Sequence, residues 1–587
     1  MSRTILAAVA AVLLIGPIPA TAAEAPKLGE KFRAAVARTA KEADAIEDLM
    51  ARAWVLGETG NARALAGDKK GALDDLHKAA LMAKSIEDAR TRSQTFAMIG
   101  LGLGRAGDVA GARDAFRESL LANDALEGLV RAHDLAEIAL KQARAGDLAA
   151  ARETFAEAAR FAATIKADDE RKAGISEGYH LAHVIGKQAE AGFVAEALKL
   201  AEESKILEGF SASIQLMAAM GDALWIVPGA DGHRIIDWVR RQAEMMKDGT
   251  GQADGDFIKP SLLGWVAKWD ARLGDFDAAT TLVRSIGGKD RSDLFRIIAL
   301  IDIAGARIEA GDKEAARDLL REAGEGLAER AELAPGVPNG QWLLEIAKLQ
   351  ARAGDIDRVT RSVAAIAAEA DAMPAPPPGK EQDEDAKEAL EARRLKAKMH
   401  HVGGLAVLGS ARAVRGDVEG ARRCLREATD LAKSASEDGM VVELDTWKEI
   451  ATAYAMAGDL ASAIKTADTV ADDAAEAEKA LPDPPVKPVI EQLSKVTRSH
   501  ILGDVIDDLL DANDRATALR LIDSDPTKAL AASKLQDVIL SHARAGEIDA
   551  ALGLLDRLPD PEARSSALIG IAEAAARDAK STEKKAP

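Results

Sequence analysis

The chain of 587 residues contains one cysteine, Cys424, so no disulfide can form within it and its stability rests on packing alone. Aromatic residues are scarce too, at 3% with only two Tyr. That scarcity excludes a thick core filled by large rings and suits thin layers of small aliphatic side chains. An excess of positive charge is missing too: Lys and Arg number 77 against 96 Asp and Glu, a formal charge of -19. With no basic stripe to meet a phosphate backbone, nucleic-acid binding is disfavoured. Chemical signatures are absent as well, with no phosphate loop, His-Glu-x-x-His helix, dinucleotide fingerprint or paired-Cys motif. No cofactor and no metal is expected. Gly174-Ile175-Ser176-Glu177-Gly178 fits the letters of a nucleophile elbow, but that device needs a preceding strand and none is predicted there.

What the chain has instead is a turn repeated eleven times, at Gly67, Gly107, Gly146, Gly192, Gly274, Gly311, Gly354, Gly416, Gly458, Asn513 and Gly546. The next residue is Asp in nine copies, with Phe193 and Glu547 as exceptions, and Ala stands five residues on in every copy but that of Val359. Nine residues on, every copy is apolar, from Leu76 and Phe116 to Ile522 and Leu555. Eight residues before the turn the column is aliphatic in ten copies, and the position after it is usually Gly or Ala. Gly or Asn ends a helix by turning left-handed, and Asp just after it caps the next helix. The columns therefore predict helical hairpins that bury their apolar faces only by stacking on one another.

These columns resemble the tetratricopeptide repeat family. Gly107 to Ser119 and Gly146 to Ala158 match the family's second helix through Phe116 and Phe155, and the copy at Gly458 adds Trp447 and Tyr454 at first-helix positions. The steps between turns are 40, 39, 46, 82, 37, 43, 62, 42, 55 and 33 residues, against about 34 in the family. The expected fold is all-α, a right-handed α-solenoid of about 12 to 13 tetratricopeptide-like hairpins with repeats of about 40 residues. The step of 82 is read as two, with a degenerate turn at Pro228 to Gly232 inside a Trp-rich repeat spanning 211–270.

Three segments break the helical pattern. Residues 1–23 join Arg3, an apolar run from Ile5 to Ile15 and the small residues Ala20 to Ala23, the layout of a cleavable secretory signal peptide that leads to a periplasmic or extracellular, bacterial-type location. Its loss would remove Arg3 and no acidic residue, taking the charge from -19 to -20. The Pro-rich acidic linker 371–385 and the Pro-rich loop 481–488 separate solenoid segments 24–370, 386–480 and 489–579, and 580–587 reads as a disordered tail.

The resemblance implies a scaffold that binds a protein or peptide partner in a concave groove lined by first helices. Candidate contacts are Arg63, Gln142, Gln188, Arg307, Gln350 and Arg412, each four residues before its turn, and the tryptophans Trp225, Trp238, Trp265 and Trp269. Glu177, His180 and His183 share one helix face at three-residue spacing, but no further metal ligand is marked on a neighbouring helix. An all-helical envelope enzyme with a site in the Trp-rich middle is the second reading, and it needs paired carboxylates there. The third is a structural solenoid that self-associates through terminal repeats, whose charged stretches Lys27 to Ala43 and Arg564 to Ala579 look like polar caps.

Overall fold

The computed structural model describes residues 28–585 except 174, 177, 205, 207–209, 225, 228, 246–254, 287–290, 334–338, 372–383, 438–443, 480–486 and 526–528. Residues 1–23, read as a signal peptide, and most of both Pro-rich segments lie outside the described residues. The chain divides into two compact units, Met1–Lys247 with Leu535–Pro587, and Asp248–Lys534. Among the described residues every regular element is helical.

All eleven turn positions take the left-handed conformation, from Gly67 at φ 80° to Gly546 at φ 77°, and Asn513, at φ 63°, is the one non-glycine residue with positive φ among the described residues. Each turn closes the same way. The N–H two residues past the helix bonds back to the carbonyl five positions earlier, as in Asp68 to Arg63 at 2.9 Å, Asp108 to Leu103 at 2.9 Å and Asp514 to Leu509 at 2.8 Å. The same Asp then accepts from the opening turn of the next helix: Asp68 from Gly71 N–H at 3.0 Å, Asp108 from Gly111 N–H at 2.9 Å. One residue thus ends one helix and starts another, which is why the Gly-Asp pair recurs.

The small column seven residues before the turn receives the apolar column nine residues after it. At Gly60 a Cβ would lie 2.6 Å from Leu76 Cγ, so only glycine lets Leu76 seat against the first helix of its hairpin. In the Gly192 copy the sizes are exchanged, with Ile185 in the small column, Ala201 in the apolar one and both buried.

In the first unit the hairpins are Leu49–Leu65 with Lys69–Ala83, Ala89–Ala106 with Val109–Asn123, Gly128–Arg144 with Leu148–Ala162, Tyr179–Glu190 with Val194–Glu203, and Phe210–Leu224 with Ala230–Met245. The last pair turns through Gly229 at φ 78°, inside the segment where the degenerate turn was expected. The second unit continues the pattern from Gly255–Leu273 with Phe276–Ser285 to Lys487–Asp511 with Arg515–Ser524. Each unit shows the expected all-α helical-repeat pattern of stacked hairpins.

The chain ends depart from expectation. Pro561–Lys585 packs on Leu49–Leu65 and on Glu30–Glu42 within the first unit, and it buries Ala567, Leu568, Ile571 and Ala572 completely. Arg564 reaches Glu42 at 2.6 Å, Lys31 reaches Asp549 at 3.1 Å, and Arg38 pairs with Asp556. The stretches read as solvent-facing caps cover each other instead. An apolar stripe of Ala, Leu and Ile at i, i+3 and i+4 spacing runs through the charged surface of the last helix, and burying it needs a neighbour. That helix also continues to Lys585, through most of the segment read as a disordered tail.

Candidate functional site

First helices of consecutive hairpins in the first unit lie side by side. Positions nine, five and two residues before each turn fall on one face of these helices, since their spacings are four and three. Nine before the turn, three successive repeats read Met98, Glu137 and His183; five before, Gly102, Lys141 and Lys187; two before, Arg105, Arg144 and Glu190. Of these, Met98, Arg105, Glu137, Lys141, Arg144, Lys187 and Glu190, together with Glu58, Arg90, Asp134 and, from the last helix, Ile569 and Glu573, enclose a cavity of about 170 Å³.

The cavity is lined by ionised groups that pair across helices. Arg105 meets Glu573 at 3.3 Å, so the last helix contributes part of the wall. Arg144 pairs with Glu190, and Arg90 grips Asp134 with two bonds of 3.0 and 3.2 Å. Lys187 bridges Glu190 at 2.9 Å and Glu137 at 3.4 Å, while Lys141 stands 3.7 Å from Glu137. Burial alone would push Glu137 up, but Lys187, Lys141, His183 and His133 outweigh it and hold the carboxyl well below its ordinary range. Burial lowers Lys141 and, against Glu137 and Glu190, Lys187 is raised.

Beside Glu137 the rings of His133 and His183 stack 4.0 Å apart and 15° from parallel. His183 Nε2 lies 3.5 Å from Glu137 Oε1, and neither atom makes a hydrogen bond. Burial holds His183 down to about 3 and His180 to about 4, so both rings are neutral at pH 7. Of the three face-sharing residues singled out in the sequence, only His183 joins this group. His180 is buried among its neighbours with both ring nitrogens unbonded, and Glu177 lies outside the described residues. The ligand-type partners that sequence reading found unmarked are His133 and Glu137, from the preceding repeat.

On the opposite wall Glu58, only 2% exposed, accepts from Ser565 at 2.6 Å and from Ser566 at 2.8 and 2.9 Å. Burial, against these hydroxyls and Trp54, pushes its carboxyl up to about 7.

None of the six polar residues placed four before their turns lines the cavity. Arg63 pairs with Asp68 at 3.0 Å and Asp75 at 2.8 Å inside its own hairpin, and Arg307 does the same with Asp312 at 2.5 Å. Gln142 and Gln188 are buried, Gln350 accepts from Ser362 at 3.0 Å, and Arg412 is half-buried beside Cys424. The Cys424 thiol is buried and pushed up by that burial, which leaves it unreactive.

Of the tryptophans, Trp225 lies outside the described residues. Trp238 is buried and donates to Glu202 at 2.7 Å. In the second unit Trp269, 1% exposed, is among the largest side chains of the core, and Trp265 packs beside it at 5.9 Å while lining a separate cavity of about 360 Å³. The one carboxylate in that second cavity, Asp302, is bound to Lys268 at 2.9 Å. Among the described residues, two carboxylates acting as acid and base are not offered there.

No family model matches the chain, and no curated protein matches it. Among solved structures it is similar to Ton1535 from Thermococcus onnurineus NA1, at 14% identity over 72% of this chain and 98% of that one, with a TM-score of 0.27. It is also similar to the maize pentatricopeptide repeat protein PPR10, at 14% identity over 89% and 70% with a TM-score of 0.23. A third likeness is to a circular tandem repeat protein with novel repeat topology and enhanced subunit contact surfaces, at 13% identity over 93% and 99% with a TM-score of 0.17. The fold class rests on this chain's own helices and turns.

Proposed function

We propose that the chain is an exported helical-repeat scaffold that binds a protein or peptide partner, and that the charged cavity of the first unit is where the partner's polar side chains or terminus enter. The observation that supports this most is the ionised lining. A repeat needs only its apolar columns to stack, yet three successive repeats place Arg105, Glu137, Lys141, Arg144, Lys187 and Glu190 around one cavity at a cost in desolvation. Groups of both signs favour a partner segment that carries both. Export follows from the apolar run between Arg3 and the small residues at 20–23, and no described helix is long and apolar enough to cross a membrane.

Pull-down from an envelope extract, run in parallel with wild-type protein and the Lys141→Ala variant, tests the reading. The expected result is a protein retained by the wild type, released as salt rises, and depleted at least tenfold on the variant. Identical retention by both would remove the cavity from the binding surface.

A further inference from the structure

We propose that His133, Glu137 and His183 form a binding site for one divalent transition-metal ion of zinc's class, built across two neighbouring repeats. Their donor atoms, one from each residue, all lie within 4.8 Å of one another. Two ligands about 2.1 Å from a common tetrahedral ion stand about 3.4 Å apart, so closure needs shifts on the order of an ångström. One observation besides proximity points to a cation. His183 Nε2 is buried without a hydrogen bond, and Glu137 Oε1, 3.5 Å from it, also has no hydrogen bond and only the Lys187 ammonium at 3.4 Å, so a shared ion would give both atoms a partner. Two imidazoles and a carboxylate suit a borderline ion, and three protein ligands leave a fourth position for water or a ligand group.

Lys187 is the built-in competitor. It stands 3.4 Å from Glu137, where it occupies part of the charge a dication would take, but its shorter contact is to Glu190 at 2.9 Å. On metal entry it can withdraw to Glu190 without losing an ionic partner. Lys141, at 3.7 Å and a quarter exposed, can turn outward. The site therefore exchanges an ammonium for a metal ion at one carboxylate. This inference goes beyond the scaffold reading and stands apart from it, since purified protein and metal alone suffice for its test.

The test is zinc titration of the full chain against a chromophoric chelator, with cobalt absorption reporting the ligand field. One equivalent is expected to bind, with the visible cobalt bands of a four-coordinate site. His183→Ala and Glu137→Gln should each weaken binding at least about tenfold, while His180→Ala, which alters a histidine outside the set, leaves it unchanged. Thermal unfolding of each metal-free variant shows that it is folded. Lys187→Met removes a positive charge beside the ion and should tighten binding. Wild-type affinity no greater than that of a folded His133→Ala/His183→Ala protein would overturn the proposal, as would loss of binding in Lys187→Met.

Discussion

Replacing Leu568 and Ile571 together with Ala is expected to loosen the N-terminal hairpin as well as the last helix. Both side chains are fully buried, and Pro561–Lys585 lies against Leu49–Leu65. Truncation of a buried Leu or Ile to Ala costs about 2–5 kcal/mol each, and as neighbours on one helix face their effects need not add. Urea unfolding should show the loss in the first unit. Hydrogen exchange should locate it: amides of Leu49–Leu65 exchange faster in the variant although they lie some 500 residues away in sequence, because repeats are stabilised chiefly by their neighbours. Unchanged exchange there would mean that the last helix is not a structural neighbour of the first hairpin.

The second large effect concerns Glu58. Its folded value of about 7 lies above the ordinary value of 4.5, so the carboxyl takes up its proton more readily in the folded chain. Folding suffers no penalty from this group below about pH 4.5, loses stability as pH rises, and carries the full cost above about pH 7. The gap corresponds to about 3 kcal/mol by the linkage between proton binding and stability. Glu58→Gln keeps an acceptor for Ser565 and Ser566 without the charge. It is therefore expected to be more stable than wild type by up to about 3 kcal/mol at pH 8, and indistinguishable at pH 4, in urea unfolding at the two pH values. Equal stability at pH 8 would mean that water or the hydroxyls already solvate the carboxylate. A gain of this kind is typical of residues kept for function, since a Gln would otherwise serve the fold better.

Much of the architecture was legible because one physical requirement recurs. A left-handed residue must end each first helix, and the sequence supplies Gly ten times and Asn513 once, each followed by a residue able to cap. Even the lapsed turn was bracketed correctly, since Gly229 falls in the stretch where Pro and Gly interrupt two helical patterns. The cavity was less legible, for a reason of register. The polar column four residues before the turn looks like a groove, but the aliphatic column eight before it is buried, and positions four apart share a face. Arg63 and Gln142 therefore sit inside their hairpins. The lining lies one position over, in columns nine, five and two before the turn, and His133 and Glu137 on one helix with His183 and Lys187 on the next carried that signal. Contacts between the two ends of the chain had no sequence signal except the apolar stripe of the last helix, which reads equally well as a surface for another molecule.

The account rests on the two chain ends folding together into one unit that completes the cavity wall. Zero-length carbodiimide coupling tests this directly, since Lys31 Nζ and Asp549 Oδ1 stand 3.1 Å apart and both side chains are open to reagent. Mass spectrometry of the monomer band is expected to recover the peptide containing Lys31 joined to the peptide containing Asp549. Absence of that product from the monomer, or its confinement to cross-linked dimers, would contradict the closure of the chain on itself.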